Sequence, residues 1–518
     1  MQTKKVITIS ASILLSPFLA ESSQKETTPR PNVIFIAVDD LNDWVGAFGG
    51  NLQVKTPNLD KFYSENAMIF TNAHCPGPVC CPSRSSLLSG FRPERTGCYR
   101  NTQNMLKSEL VQEHATLPEY FSKNGYVTIS KGKIFHKHQT EEGVDQGQWA
   151  YDIWEKESGK DGVKKEFLYS RSDGLINGVK AGDQTHTGGA GTEFAWGPTI
   201  AGKEETTDYL TTTWFADQLG KELDNPFFMA VGISKPHLPW YVPQEFFDMY
   251  KLDDIKIPSY KLDDLDDILT PSGKKKFDAS GDFLWLSQDS NLHKSAIRAY
   301  LASVSYADAC IGVLLDALKK SKYNDNTIVV IWGDHGWHLS EKLRFRKATL
   351  WTESTKMPLM IRTPEMKQKS ACDKVINLVD MYPTLIDLCN LPARTNLDGR
   401  SFAPLIKNPD KKWPYPSITT QDKNTYTINN ENWRYIHYDD GTEELYDLKN
   451  DPMEWTNLIG SKDKKAIAAK EQLLKWQPKT FADGLPENKQ KINWKKFDSN
   501  QQKNIDLLKD IRPLETLK

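Results

Sequence analysis

Short, uninterrupted apolar runs constrain the fold of this chain more than any other feature. They are Asn32–Val38, Tyr126–Ser130, Phe227–Ile233, Thr327–Trp332 and Pro358–Arg362. Continuous runs, as opposed to alternating ones, mark strands buried on both faces, as parallel strands are. Helical patterns lie between them. The clearest is Ile297–Leu318, where apolar residues at 297, 300, 301, 304, 311, 314, 315 and 318 make one stripe. It ends in Lys319-Lys320, which suits the negative end of a helix dipole, and Asn324-Asp325-Asn326 then turns the chain. Strands alternating with helices predict an α/β fold, with a large, mostly parallel central sheet flanked by helices.

The stretch from about 140 to 205 is rich in Gly, Lys, Glu and Thr and has weak periodicity, so it is expected to leave the core on the substrate side. A seam falls at Lys407-Asn408-Pro409-Asp410-Lys411-Lys412-Trp413-Pro414. After it, Trp433–Tyr438, Asp440-Gly441 and Glu444–Leu448 predict a β-hairpin with a tight turn. The expected division is a main domain over 23–411 and a smaller C-terminal α+β subdomain with an antiparallel sheet over 412–518. The Lys-rich tail beyond 460 is expected to be helical in part.

Lys4 and Lys5 precede an apolar stretch from Val6 to Ala20, and small residues follow at Ala20 and Ser22. This predicts a secretory signal peptide over 1–22, and with it a periplasmic or secreted protein that does not insert into a membrane. Lys+Arg 66 against Asp+Glu 68 leaves a net charge of −2, which excludes nucleic-acid binding driven by counterion release. An anionic ligand must be held by a local cluster. Seven cysteines leave at least one unpaired, and Cys372 with Cys389 is a candidate disulfide.

The chemistry collects at the strand ends. The first strand runs into Asp39-Asp40, the second into Lys131-Gly132-Lys133 and His136, the third into Lys235-Pro236-His237, and the fourth into Asp334-His335. Open α/β sheets bind ligands outside the carboxyl ends of their strands, so these residues are candidates for one pocket. Any single pair is more often a turn or a cap; four sets at four strand ends are not. Asp39, Asp40 and Asp334 with one imidazole, His335, suit a hard divalent cation, Ca²⁺ before Mg²⁺.

A second signal is Cys80-Cys81-Pro82-Ser83-Arg84-Ser85-Ser86-Leu87-Leu88-Ser89-Gly90. This segment resembles the signature of the type I, formylglycine-dependent sulfatases of the alkaline phosphatase superfamily, Cys-x-Pro-Ser-Arg-x-x-x-Leu-(Thr/Ser)-Gly, at every fixed position. The likeness extends to Pro31-Asn32-Val33 through Asp39-Asp40, to Gly125-Tyr126 through Lys133 and His136, and to Gly333-Asp334-His335-Gly336. His335, Lys235-Pro236-His237 and Phe135-His136 resemble the iduronate-2-sulfatase-like members most. The segment Ser340–Arg346, with Glu341-Lys342 and Arg344-Phe345-Arg346, departs from the animal iduronate enzymes, which puts the sugar specificity in question.

The resemblance implies that a formylglycine-generating enzyme oxidises Cys80, which then joins Asp39, Asp40, Asp334 and His335 around the cation. Cys81, at a free position of the motif, stays a thiol or pairs elsewhere. The hydrated aldehyde attacks sulfur to give a covalent sulfo-enzyme. Arg84 and Lys133, with Lys235 and Lys347 as substrate-binding lysines, offset the sulfate charge. His237 is the candidate acid for the leaving sugar oxygen, and His136 the candidate base that lets residue 80 expel sulfate. The expected substrate is a sulfated oligo- or polysaccharide, such as a 2-O-sulfated uronic acid or a sulfated algal glycan. The alternatives are a phosphate or phosphonate monoester hydrolase of the same superfamily, and a non-catalytic polysaccharide-binding protein.

Overall fold

The computed structural model describes residues 30–136, 147–163 and 194–487, with the backbone of three two-residue strands between 169 and 180. The expected leader, parts of the 140–205 excursion and the end of the tail lie outside the described residues.

Eight strands form the central sheet. They are β1 (Asn32–Val38), β2 (Met68–Phe70), β3 (Val127–Lys131), β4 (Ile153–Glu155), β5 (Phe227–Ile233), β6 (Thr327–Gly333), β7 (Leu359–Arg362) and β8 (Ser370–Cys372). Their order across the sheet is β8-β2-β7-β6-β1-β5-β3-β4. The apolar runs are continuous for a visible reason. Along β1, Ile34, Ile36 and Val38 enter one hydrophobic core, while Val33, Phe35 and Ala37 enter another on the opposite face. Burying such a side chain contributes roughly 1.5–3 kcal/mol, so a polar substitution on either face of β1 is costly.

Four parallel strands set up the site. β1 pairs with β5 on one side and β6 on the other, and Val38 stands level with both Ile233 and Gly333. β3 joins β5 with Lys131 level with Val231. The chain therefore leaves all four strands at the same edge. The run at 359–362 departs from expectation: β7 is antiparallel to both β6 and β2. A fully buried strand reads the same in either direction, so its apolar run carries no sense of orientation. The short strands β2, β4 and β8 have no strong periodicity, and pairing at the sheet's flanks creates them.

The predicted helix is longer than its stripe. Here α1 is Cys80–Ser89, α2 is Thr207–Leu219 and α3 is Ser290–Lys320. Helix α3 begins seven residues before Ile297 because Asp289 Oδ1 accepts from the N–H groups of Asn291 and Leu292, at 2.7 and 2.9 Å.

The C-terminal sheet is a meander of four antiparallel strands, β9 (Ser417–Asp422), β10 (Thr425–Asn429), β11 (Trp433–His437) and β12 (Glu443–Asp447). β11 and β12 are the predicted hairpin, and Gly441 in its turn has φ 84°. Helix α4 (Lys464–Leu474) covers the sheet with Ala466 and Leu473, against Ile418, Ile428, Tyr435 and Leu445. The candidate Cys372–Cys389 disulfide is not formed: both thiols are free, and Cys372 Sγ faces the Pro409 carbonyl. The thiols of Cys81 and Cys98, also free, lie 3.5 Å apart.

Candidate active site

Beyond Val38 the main chain keeps pairing with β5, because Asp39 N–H donates to the Ile233 carbonyl at 3.0 Å. Asp40 then takes a left-handed conformation, φ 62°, and its N–H donates to Asp334 Oδ1 at 3.0 Å. Both aspartates are buried. Tyr300 on α3 holds this turn from below. Its hydroxyl donates to the Asp40 carbonyl and accepts from Asn42 N–H, at 2.9 and 3.0 Å.

Helix α1 opens at Cys80, directly after extended Val79, and stops at Gly90 with φ 81°. Every residue of it is buried, so it is fixed from all sides. The first turn of a helix favours negative charge, and Cys80 occupies it. Its Sγ lies 2.9 Å from Lys347 Nζ, 3.4 Å from His335 Nε2 and 3.8 Å from Asp40 Oδ1. Burial alone would raise this thiol; Lys133, Lys347 and His335 outweigh it and hold it well below its usual range.

One turn further on, Arg84 reaches the same place. Its Nε donates to Asp334 Oδ2 at 2.8 Å and its Nη2 to Asp39 Oδ1 at 3.1 Å, while Nη1 is held by the carbonyls of Lys133 and Ile134. One rigid fork thereby fixes two carboxylates at once. Lys133 pairs with Asp39 Oδ2, and Lys347 pairs with Asp40 Oδ1. Lys133 arrives there through Gly132, whose φ is 82°. A Cβ on Gly132 would stand 2.0 Å from the Gly232 carbonyl oxygen.

His237 closes the opposite side. Its Nε2 lies 3.8 Å from Asp40 Oδ2 and 4.0 Å from Asp39 Oδ2, and its Nδ1 faces the Leu238 carbonyl at 2.5 Å. His136 approaches Cys80 as well. Burial, against the pull of Cys80, pushes its imidazole down to about 4, and its Nδ1 has no partner. His335 is fixed by Nδ1 on the Gly336 carbonyl at 2.9 Å, leaving Nε2 on the centre.

One predicted residue points elsewhere. Lys235 lies beside the centre, but its ammonium donates to the carbonyls of Pro239, at 2.7 Å, and His237, at 3.4 Å. Its loop is anchored by Asp208 on α2, whose carboxylate accepts the N–H groups of Ser234 and Lys235 at 2.8 and 2.9 Å. Sequence reasoning missed Asp208, which no motif marks. Tyr300 stands in the α3 stripe and is indistinguishable there from a core residue.

Ligand atoms of Asp39, Asp40, Cys80 and His237 all lie within 4.8 Å of one another, and so do those of Cys80, Asp334 and His335. Asp40 Oδ2 is buried with no hydrogen-bond partner. Such an oxygen is costly unless something charged or polar meets it. Three carboxylates, one of them with an orphaned oxygen, fit a hard divalent cation at this point. Beside the centre, a cleft of about 930 Å³ runs between the main domain and the C-terminal sheet. Val79 and Ala348, the neighbours of Cys80 and Lys347 in sequence, form part of its wall.

The family profile described as Sulfatase matches residues 31–391, and that described as N-sulphoglucosamine sulphohydrolase, C-terminal, matches residues 333–479. A sulfatase of Formosa agariphila is 38% identical over 467 residues, covering 89% of this chain and 88% of the relative. The iduronate 2-sulfatase of Mus musculus is 28% identical over 439 residues, covering 76% of each. Among solved structures, the phosphonate monoester hydrolase of Agrobacterium radiobacter superposes with a TM-score of 0.66 at 20% identity, covering 86% of this chain and 95% of that one. At that identity the likeness is one of fold.

Proposed function

The chain belongs to the sulfatase family and is a sulfuric ester hydrolase, and from that premise we propose that it is an exported enzyme removing sulfate from a sulfated carbohydrate. Formylglycine at position 80 and a divalent cation, Ca²⁺ before Mg²⁺, complete its centre in this reading. The observation that carries it is the meeting of Cys80, Lys133, Lys347 and His335 with three aspartates at the ends of β1 and β6. Asp39, Asp40, Asp334 and His335 would hold the cation, which when bound supplies Lewis-acid polarisation of an anionic ester oxygen. Formylglycine supplies a nucleophile that can expel sulfate afterwards, which a serine cannot.

The chain's own residues do the rest. Lys133 and Lys347 bring two ammonium groups to the centre and offset charge on the sulfate oxygens. Arg84 keeps Asp39 and Asp334 from rotating. The Leu238 carbonyl takes the Nδ1–H of His237 and turns Nε2 to the substrate, where it hands a proton to the leaving sugar oxygen. His136, kept neutral by burial, takes a proton from residue 80. Lys235 shapes the His237 loop and meets the substrate only if its ammonium leaves those carbonyls.

Similarity to iduronate 2-sulfatase favours a sulfated uronic acid within a glycan. Arg100, Asn101, Lys276, Arg344, Gln421 and Lys423 of the neighbouring cleft offer cations and hydrogen-bonding groups to flanking sugars. The test is to coproduce the protein with a formylglycine-generating enzyme, measure the mass of the residue-80 peptide, and assay sulfate release from defined sulfated oligosaccharides beside an aryl phosphate. Aldehyde at residue 80 with desulfation of the sugars is expected. An unconverted thiol in active material, or turnover of phosphate alone, would refute the reading.

A further inference from the structure

Lys347 is delivered by a strap, residues 340–348. The strap contains no glycine, yet five of its residues have positive φ: Ser340 (128°), Lys342 (55°), Leu343 (53°), Arg346 (74°) and Ala348 (70°). Side-chain-bearing residues hold such conformations only where their surroundings over-determine them, and these clusters gather at functional sites. The surroundings here are polar and buried. On the near side of Lys347, the Lys342 ammonium lies 2.8 Å from Asp264 Oδ1 and donates to the main-chain carbonyl of Glu454. On the far side, Glu454 Oε2 accepts from Thr352 N–H at 2.8 Å, and Glu454 Oε1 pairs with Arg434 Nε at 2.6 Å. Arg434 in turn donates through Nη1 to the Leu350 carbonyl at 3.0 Å. Glu454, itself at φ 57°, touches both flanks.

A buried ion pair is weak evidence of stabilisation, since apolar residues of similar shape often serve as well or better. Charged groups at both ends of one strap fit a different purpose, which is to hold one conformation against alternatives. We infer that Glu454, acting through Lys342 and Thr352, is a positioning residue that sets the Lys347 ammonium over residue 80. This rests on the reading of Lys347 as a sulfate-holding group. It also assigns the C-terminal subdomain a part in the reaction, made through residues in contact with neither substrate nor cation.

The experiment compares Glu454→Gln, the double variant Lys342→Met/Asp264→Asn, and Lys347→Ala in matured enzyme. The double variant removes both charges of the near grip, so it leaves no lone buried charge. Readouts are thermal unfolding, conversion of residue 80, kcat and KM on an aryl sulfate, and the inhibition constant of inorganic sulfate. Misplacing a reacting group by about 1 Å can cost on the order of 10²-fold. In folded, converted protein, both strap variants are expected to lose at least about tenfold in kcat/KM and to weaken sulfate inhibition by a similar factor. A purely structural role would lower the melting temperature and leave the sulfate constant alone. If Glu454→Gln fails to accumulate, the double variant carries the same readouts. Unchanged kinetics and sulfate inhibition in a folded strap variant, with Lys347→Ala impaired, would overturn the inference by itself. A fully active Lys347→Ala would instead overturn the role given to Lys347.

Discussion

Arg84 Nε lies 2.8 Å from Asp334 Oδ2, and neither side chain has measurable contact with solvent. This pair joins the helix that begins at Cys80 to the strand end that carries His335. The same guanidinium reaches Asp39 as well, so a single side chain aligns three segments far apart in sequence.

Removing that guanidinium leaves buried carboxylates without their partner. Arg84→Met is expected to destabilise the protein by roughly 3–5 kcal/mol, the usual cost of breaking a buried pair from one side. Arg84→Lys keeps the charge but cannot reach both carboxylates with one planar fork, and should lose most of the activity. Urea unfolding with parallel rate measurements checks both. Wild-type turnover in the lysine variant would show that the fork has no part in alignment.

Asp40 Oδ2 is buried without a hydrogen-bond partner, and on the proposed reading a cation meets it there. Chelation is expected to abolish turnover and lower the melting temperature, and Ca²⁺ is expected to restore both. A ligand at 100 times its Kd stabilises the folded state by about 2.7 kcal/mol, a shift that calorimetry resolves. Equal melting curves before and after chelation, in protein shown to be metal-free, would contradict the assignment.

Gly132 marks a close approach at which even one methyl has no room, since a Cβ would meet the Gly232 carbonyl oxygen at 2.0 Å. Its φ of 82° adds a further cost to any side chain. Gly132→Ala is expected to lose at least about 1–3 kcal/mol and to swing Lys133 off Asp39. Stability and kcat/KM should fall together. A variant with native stability would mean that the two strand ends can separate freely.

His293 is buried, and its Nε2 pairs with Ser340 Oγ at 2.7 Å, at the entrance to the strap. Burial pushes this imidazole down to about 4. The sign follows from proton binding. Below an ordinary histidine value near 6.5 the unfolded chain takes up a proton that the folded protein refuses, so folding weakens as pH falls from about 6.5 toward 4. The shift corresponds to something on the order of 3 kcal/mol across that window. His293→Asn should flatten this part of the stability profile, measured as melting temperature against pH. An unchanged slope in the variant would place the acid sensitivity elsewhere.

Much of the site is legible in the amino-acid sequence. Asp39-Asp40, Lys133, His136, His237 and Asp334-His335 announce themselves because a parallel α/β sheet must present its ligands at strand ends. Cys80 and Arg84 stand out only through the likeness of their segment to the sulfatase signature, and helix α1 then sets them one turn apart. Lys235 is legible as a neighbour of the site, but the direction of its ammonium is not. That direction depends on where the Pro239 carbonyl falls. Asp208 and Glu454 are invisible at that level, since a carboxylate that anchors a loop and one that faces solvent look alike in a sequence, and Tyr300 is hidden in the apolar stripe of α3.

The chain's local patterns determined that there would be buried strands, which residues would stand at their ends, where helix α3 would run and where a hairpin would close. Periodicity, capping and turn chemistry act over a few residues, so a few residues suffice to read them. Tertiary structure alone decided that β1 lies between β5 and β6, that β7 runs backward, and that a strained strap gripped from the C-terminal sheet brings Lys347 to Cys80. Those outcomes depend on contacts between segments up to hundreds of residues apart, whose energies emerge only when the whole chain packs.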